Sequence, residues 1–193
     1  MRLPADQRRR QLLDVARDVF AERGFHATSM DEVAVAAGVT KPVLYQHFPS
    51  KRSLYSELLE DVGAQLLEQL GRATEGATTG REQVEEGFAA YFRFVGSNHS
   101  AFRLLFGASV RNDPEFAVIA ERTVQAAAEV ISSLIAVPAP TEQRRVLANA
   151  LVGMAEATSR RMLADPDAES DPYALARWIA ELAWFGLRGV RSG

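Results

Sequence analysis

The residues of this chain best suited to chemistry follow one glycine. After Gly38 come Thr40, Lys41, Pro42, Val43, Tyr45, Gln46 and His47, with Leu44 and Phe48 interleaved four residues apart. A helix over this stretch turns Leu44 and Phe48 to one side. It presents to the other side a cation, several hydrogen-bonding groups and small apolar groups. Such a face suits the major groove of duplex DNA, where base-pair edges offer donors, acceptors and methyl groups. An ordinary helical hairpin with solvated polar residues has the same spacing, so spacing leaves both readings open.

Other chemistries find less support. His26, His47 and His99 are far apart, and neither an HExxH nor a GxSxG pattern occurs. Glu85 and Glu86 are adjacent, which puts them on different sides of a helix. No glycine-rich phosphate loop is present, and the absence of cysteine excludes thiol catalysis, disulfides and cysteine–zinc sites. No nucleophile–base constellation emerges, so no enzyme, catalytic residue, metal or cofactor is expected.

The elements that must position the glycine-flanked helix can be read outward from it. Ser29 and Glu32 form the pattern of a capping box. Val33 and Ala36 give the helix it opens a narrow apolar face. Gly38 suits the turn, Thr40 suits the N-cap of the next helix, and Pro42 fits that helix's first turn. Upstream, residues 1–6 are read as an arm. Leu12, Val15, Ala16 and Phe20 mark a helix that ends near Arg23-Gly24. Arg8-Arg9-Arg10 open that helix, either as phosphate contacts or as a solvated basic end. Downstream, Ser50 caps a helix whose Leu54, Leu58, Val62 and Leu66 recur every four residues to about Gly71. That helix is expected to join the DNA-reading part to the rest.

With these elements in place, a resemblance becomes visible. The run Gly24-Phe25-His26-Ala27-Thr28-Ser29, then Val33-Ala34, then Ala37 to Lys51 with its Leu-Tyr-x-His-Phe-x-x-Lys portion, resembles the DNA-binding domain of the TetR family of bacterial transcriptional regulators. The resemblance implies an all-α fold. Residues 1–52 would be a three-helix helix-turn-helix domain, and 53–193 a helical ligand-binding and dimerisation domain. It also implies roles at matched positions. Lys41, Pro42, Val43 and Gln46 would meet base edges, and Ser29, Thr40, Tyr45, His47 and Lys51 would meet phosphates, which position without reading sequence. For Tyr45 and His47, packing within the domain is the alternative.

Charge is distributed accordingly. The net charge is −3, yet residues 1–55 hold nine Arg and Lys against six Asp and Glu, and the remainder holds thirteen against nineteen. Phosphate attraction is a local field, so a basic amino-terminal part matters more than the total. No secretory signal follows Met1, and no apolar run approaches a membrane span, so a cytoplasmic protein is expected.

Beyond a polar, glycine-bearing break at 72–80, helices are expected over about 81–96, 101–107, 113–135, 141–163 and 171–187, with an acidic loop at 165–169 and no sheet. Aromatic residues concentrate here. Phe88, Phe92, Phe106, Phe116, Leu151 and Met154 are the candidate lining of a cavity for a small apolar or amphipathic effector, although for any one of them a plain core role competes. The resemblance implies that such a cavity exists. The amino-terminal segments are also similar to those of members that regulate lipid metabolism, which implies a fatty acyl-CoA-like effector. It further implies a homodimer through the last two helices, binding a pseudo-palindromic operator. Repression is the expected output. An activator, or a helical interaction protein without DNA binding, is the alternative.

Overall fold

The computed structural model describes residues 4–164 and 171–190; the first residues of the expected arm and the acidic loop at 165–169 lie outside them. In chain order the helices are α1 (Ala5–Ala27), α2 (Met30–Ala36), α3 (Lys41–His47), α4 (Lys51–Glu75), α5 (Gly80–Ser97), α6 (His99–Phe106), α7 (Ala108–Asn112), α8 (Pro114–Leu134), α9 (Thr141–Ala164) and α10 (Pro172–Arg188). No strand occurs among the described residues. The all-α expectation holds.

The chain divides into two compact units, the first Met1–Gly63 with Ser100–Glu121, the second Ala64–His99 with Arg122–Gly193. This division differs from the sequence-based boundary at 52/53. The helix-turn-helix unit also takes in α7, most of α6 and the first turns of α8.

In the first unit, Leu12, Ala16 and Phe20 of α1 are buried together with Val33, Leu44, Phe48, Leu54 and Leu58. The apolar face of α2 is formed by Met30, Val33, Ala34 and, just past its end, Ala37. Ala36, expected on that face, is exposed; with only two turns, α2 buries the side that begins at Met30. Near its end α1 is interrupted at Gly24, whose φ of 78° lies in the left-handed region that glycine enters without strain. The Phe25 amide, displaced there from the regular ladder, donates to Ser109 Oγ at 3.2 Å. Phe25 then joins an aromatic cluster: its ring centroid lies 4.9 Å from that of Phe116 and 5.1 Å from that of Tyr55, and Tyr55 lies 4.6 Å from Phe116.

In the second unit, α10 packs on α5 through a stripe of small residues, Ala176, Ala180 and Ala183, continued by Leu187. The two helices approach closely near Gly96, where an added Cβ would fall 2.8 Å from Pro172 Cγ. The N-terminus of α5 carries a complete capping box between Thr79 and Glu82.

Candidate nucleic-acid interface

The turn between α2 and α3 is built from local signals. Ser29 Oγ accepts from the Glu32 amide at 3.2 Å, and the Ser29 amide donates to the Glu32 carboxylate at 2.7 Å. These bonds to the Ser29 backbone and hydroxyl, helped by Arg23, hold the Glu32 carboxyl below its usual range. Gly38 turns the chain at a φ of 64°. Thr40 occupies the N-cap of α3, but its hydroxyl makes no bond to the helix amides, contrary to expectation. With Pro42 in the first turn, one amide there needs no partner, and the exposed Thr40 hydroxyl points to other uses.

Leu44 and Phe48 are fully buried, which fixes the orientation of α3. Lys41, Pro42, Tyr45 and Gln46 are exposed, and Val43 and His47 partly so. All six residues singled out on this helix are thus at least partly accessible, with Tyr45 42 % exposed. Lys41 Nζ rests 2.9 Å from the carboxylate of Asp31 on α2. That hydrogen bond raises its pKa above the ordinary lysine value.

The other expected cations are placed differently. Arg8 donates to Gln11 at 2.8 Å. Arg9 forks onto both carboxylate oxygens of Glu57 and donates to the His47 carbonyl at 2.6 Å. Arg10 pairs with Asp61 and, at 3.8 Å, with Asp14. The cluster, left open between phosphate contact and solvated end, is largely paired within the unit. Lys51 Nζ donates to the carbonyls of Phe25 and Thr28, both at 2.8 Å, with His26 O at 3.4 Å. Three acceptors meet the three donors of this ammonium. Sequence reasoning had no access to these partners: Glu57 lies 48 residues from Arg9, and no local pattern links them.

The six candidate effector-lining residues fall into two groups. Phe88, Phe92 and Leu151 are buried and Met154 is partly exposed in the second unit. Phe106 and Phe116 belong to the first, Phe106 with its ring tilted against that of Phe102 at 4.8 Å and Phe116 in contact with both Phe25 and Tyr55. Tyr91 counts in the sequence only as one of the aromatic residues gathered in the carboxy-terminal helices, a cavity wall or a plain core, and Ser159 carries no signal there. Both hydroxyls are buried in the second unit without a well-formed hydrogen bond. Burial pushes the Tyr91 phenol up to about 12, with the neighbouring Ser159 hydroxyl pulling the other way. No helix among the described residues is long and apolar enough to cross a membrane.

Comparison with known proteins agrees with this geometry. Residues 12–58 match the family described as bacterial regulatory proteins, tetR family, and residues 80–186 match the tetracyclin repressor-like C-terminal domain. The HTH-type transcriptional activator FasR of Mycolicibacterium smegmatis is 34 % identical over 191 residues, covering 98 % of this chain and 87 % of its own. The HTH-type transcriptional repressor KstR2 of Mycobacterium tuberculosis is 27 % identical, covering 97 % and 84 %. A TetR-like transcriptional regulator from Rhodococcus sp. RHA1 superposes with a TM-score of 0.79 at 31 % identity, covering 98 % of this chain and all of that one. FadR of Bacillus subtilis, solved in complex with stearoyl-CoA, shares the fold with a TM-score of 0.78 at 18 % identity over 94 % of this chain and 99 % of its own. These relatives are regulators of transcription rather than enzymes, and the chain belongs to the TetR family of DNA-binding bacterial regulators.

Proposed function

We propose that two copies of this protein bind a pseudo-palindromic operator in the cytoplasm and that an amphipathic effector changes that affinity. The observation that carries the reading is the exposed face of α3, with Lys41, Pro42, Val43 and Gln46 accessible above a buried Leu44 and Phe48. Gln46 suits the two-point edge of adenine, Lys41 the acceptors of guanine, and Val43 or Pro42 a thymine methyl. The Thr40 hydroxyl, Tyr45 and His47 flank them as phosphate contacts, with Ser29 at the start of α2.

A second copy is needed because one short helix reads too few base pairs, whereas two-fold partners engage successive half-sites. Support for the dimer lies in the second unit. Trp178, Leu182 and Phe185 of α10 are 57 %, 60 % and 64 % exposed at helical spacing, opposite the alanine stripe that packs on α5. On α9, Val146, Ala150, Gly153 and Ala157 form an exposed stripe of small and apolar residues. Two such faces, side by side in sequence order, suit a self-complementary contact between copies.

For the effector, the buried Tyr91 hydroxyl, on a ring 5.4 Å from that of Phe92, and the neighbouring buried Ser159 hydroxyl support a molecule with both polar and apolar parts. A fatty acyl-CoA fits that description, and the shared fold with the stearoyl-CoA-bound FadR is compatible with it. An effector that prefers one spacing of the recognition helices shifts the population between bound and free protein. Repression is the reading we keep. Operator position relative to the promoter sets the sign, and the curated relatives include an activator and repressors.

The test is quantitative binding to a duplex selected by the protein and to a scrambled duplex. Gln46→Ala and Lys41→Ala should each lose about 1–3 kcal/mol of discrimination at their base position. Equal loss on both duplexes would remove these residues from the base-reading group. For the effector, a long-chain acyl-CoA should raise the thermal midpoint of the protein and lower operator affinity. The absence of both changes would eliminate that class.

A further inference from the structure

We propose that Arg9 is a positioning residue that sets the pitch of the recognition helix through Glu57, and not a contact to DNA. The inference rests on the DNA-reading role of α3.

Three contacts converge on one guanidinium. Its Nε and one terminal nitrogen fork onto the two oxygens of Glu57 in α4. Its other terminal nitrogen donates to the carbonyl of His47, the last residue of α3, at 2.6 Å. Its carbon lies 4.4 Å over the ring of Phe48, the C-cap of α3. All three elements lie within the first unit.

The chemistry explains why an arginine is needed. The final carbonyls of a helix have no partner in the helix, and its C-terminus carries partial negative charge. A planar fork can saturate a carboxylate with one edge and still offer a donor on the other, while its face stacks on an aromatic ring. An ammonium cannot do all three. α3 has only seven residues, so its own hydrogen bonds hold it weakly, and contacts at its end govern its direction. Arg9 thus ties the end of α3 to α4 from α1. The Gln46 amide lies one residue before the anchored carbonyl, so a small rotation there displaces its base contact.

Three alternatives give different signs. If Arg9 contacts phosphate, its loss weakens all DNA alike and flattens the salt dependence by about one unit. If it is only structural, its loss lowers thermal stability without changing discrimination. If it positions α3, discrimination falls while the salt slope stays.

Glu57 sharpens the comparison. Glu57→Gln removes a negative charge near DNA and frees Arg9, so on electrostatics alone it strengthens binding. The positioning role requires the opposite for the selected sequence. The experiment measures binding of wild type, Arg9→Met, Arg9→Lys and Glu57→Gln to a duplex selected by the wild type from random DNA and to a scrambled duplex, at several salt concentrations, with circular dichroism reporting folding. The expected result is a tenfold or greater loss of the selected-to-scrambled ratio in Arg9→Met and Glu57→Gln, incomplete rescue by Arg9→Lys, and unchanged salt slopes. A preserved ratio in folded variants, or tighter operator binding by Glu57→Gln, overturns the proposal while leaving DNA reading intact. Failure of the wild type to select any sequence overturns both.

Discussion

Lys51 meets Phe25 in two ways: its ammonium donates to the Phe25 carbonyl at 2.8 Å and lies 4.5 Å from the centroid of the Phe25 ring. With the carbonyls of Thr28 and His26 added, this one cation closes the segment that follows the interruption of α1 at Gly24. The orphan carbonyls at a helix end need such partners. A residue expected among the phosphate contacts is thereby engaged in holding the strand of chain that leads into Ser29 and α2.

Replacing Lys51 by methionine should therefore lower stability by about 1.5–3 kcal/mol, the range for hydrogen bonds to a charged group. The slope of operator affinity against salt should stay within half a unit of wild type. Thermal or denaturant unfolding and a salt titration measure the two quantities. A slope lowered by about one unit with unchanged stability would return Lys51 to the phosphate group.

Asp31 restrains the cation that the recognition face most needs. Its carboxylate lies 2.9 Å from Lys41 Nζ, and both side chains are exposed. Asp31→Asn removes a charge that phosphates repel and releases Lys41. Operator affinity should rise several-fold at low salt, since a negative charge beside the recognition face is lost and Lys41 is released toward base edges. Electrophoretic shift or anisotropy measurements over a salt series decide it, and weaker binding would mean that the pair orients Lys41 usefully.

How much of this was legible in the residues depended on range. The capping box at Ser29–Glu32, the left-handed turn at Gly38 and the burial of Leu44 and Phe48 rest on contacts within four residues, and each is present. The four-residue stripe of Leu54, Leu58, Val62 and Leu66 is buried as its period implies. α7 escaped notice because five residues with Val110 alone buried carry no period. The hydrophobicity of Phe116 cannot distinguish a cavity wall from a core, because its partners, Phe25 and Tyr55, lie far away in sequence. The arginine cluster shows the same limit, since a basic run reads alike whether it faces phosphate or carboxylates brought in by folding.

One guanidinium clamps two carboxylates in the first unit. Arg52 donates to Asp113 at 2.8 Å and to Glu115 at 2.8 Å, joining the start of α4 to the start of α8. The guanidinium beside Asp113, followed by the amide of Phe116, holds the Asp113 carboxyl below its ordinary range. A depressed carboxylate stabilises the fold above its unfolded pKa and loses that contribution as pH falls through the folded value. Wild type should therefore lose stability on acidification below about pH 4, and Asp113→Asn should flatten that part of the profile while lowering stability at neutral pH. Denaturant unfolding across pH measures both; parallel profiles would show that the pair contributes nothing.

The exposed apolar face of α10 gives the prediction for assembly. Leu182→Glu and Trp178→Glu place charge where both residues are more than half exposed, so the isolated subunit should fold normally. In the dimer the same charge would be buried against its copy, which is costly without a partner. Sedimentation at micromolar concentration should show wild-type dimers and variant monomers. A wild-type monomer would overturn the proposed interface.

The central claim, that α3 reads duplex DNA twice per assembly, is tested most directly by selecting bound duplexes from a randomised pool and sequencing them. The account predicts enrichment of an inverted repeat whose half-sites are centred about one helical turn, or a multiple of it, apart, with enrichment lost in Gln46→Ala at one position of each half. Recovery of no common sequence, or of a motif without two-fold symmetry, would contradict it.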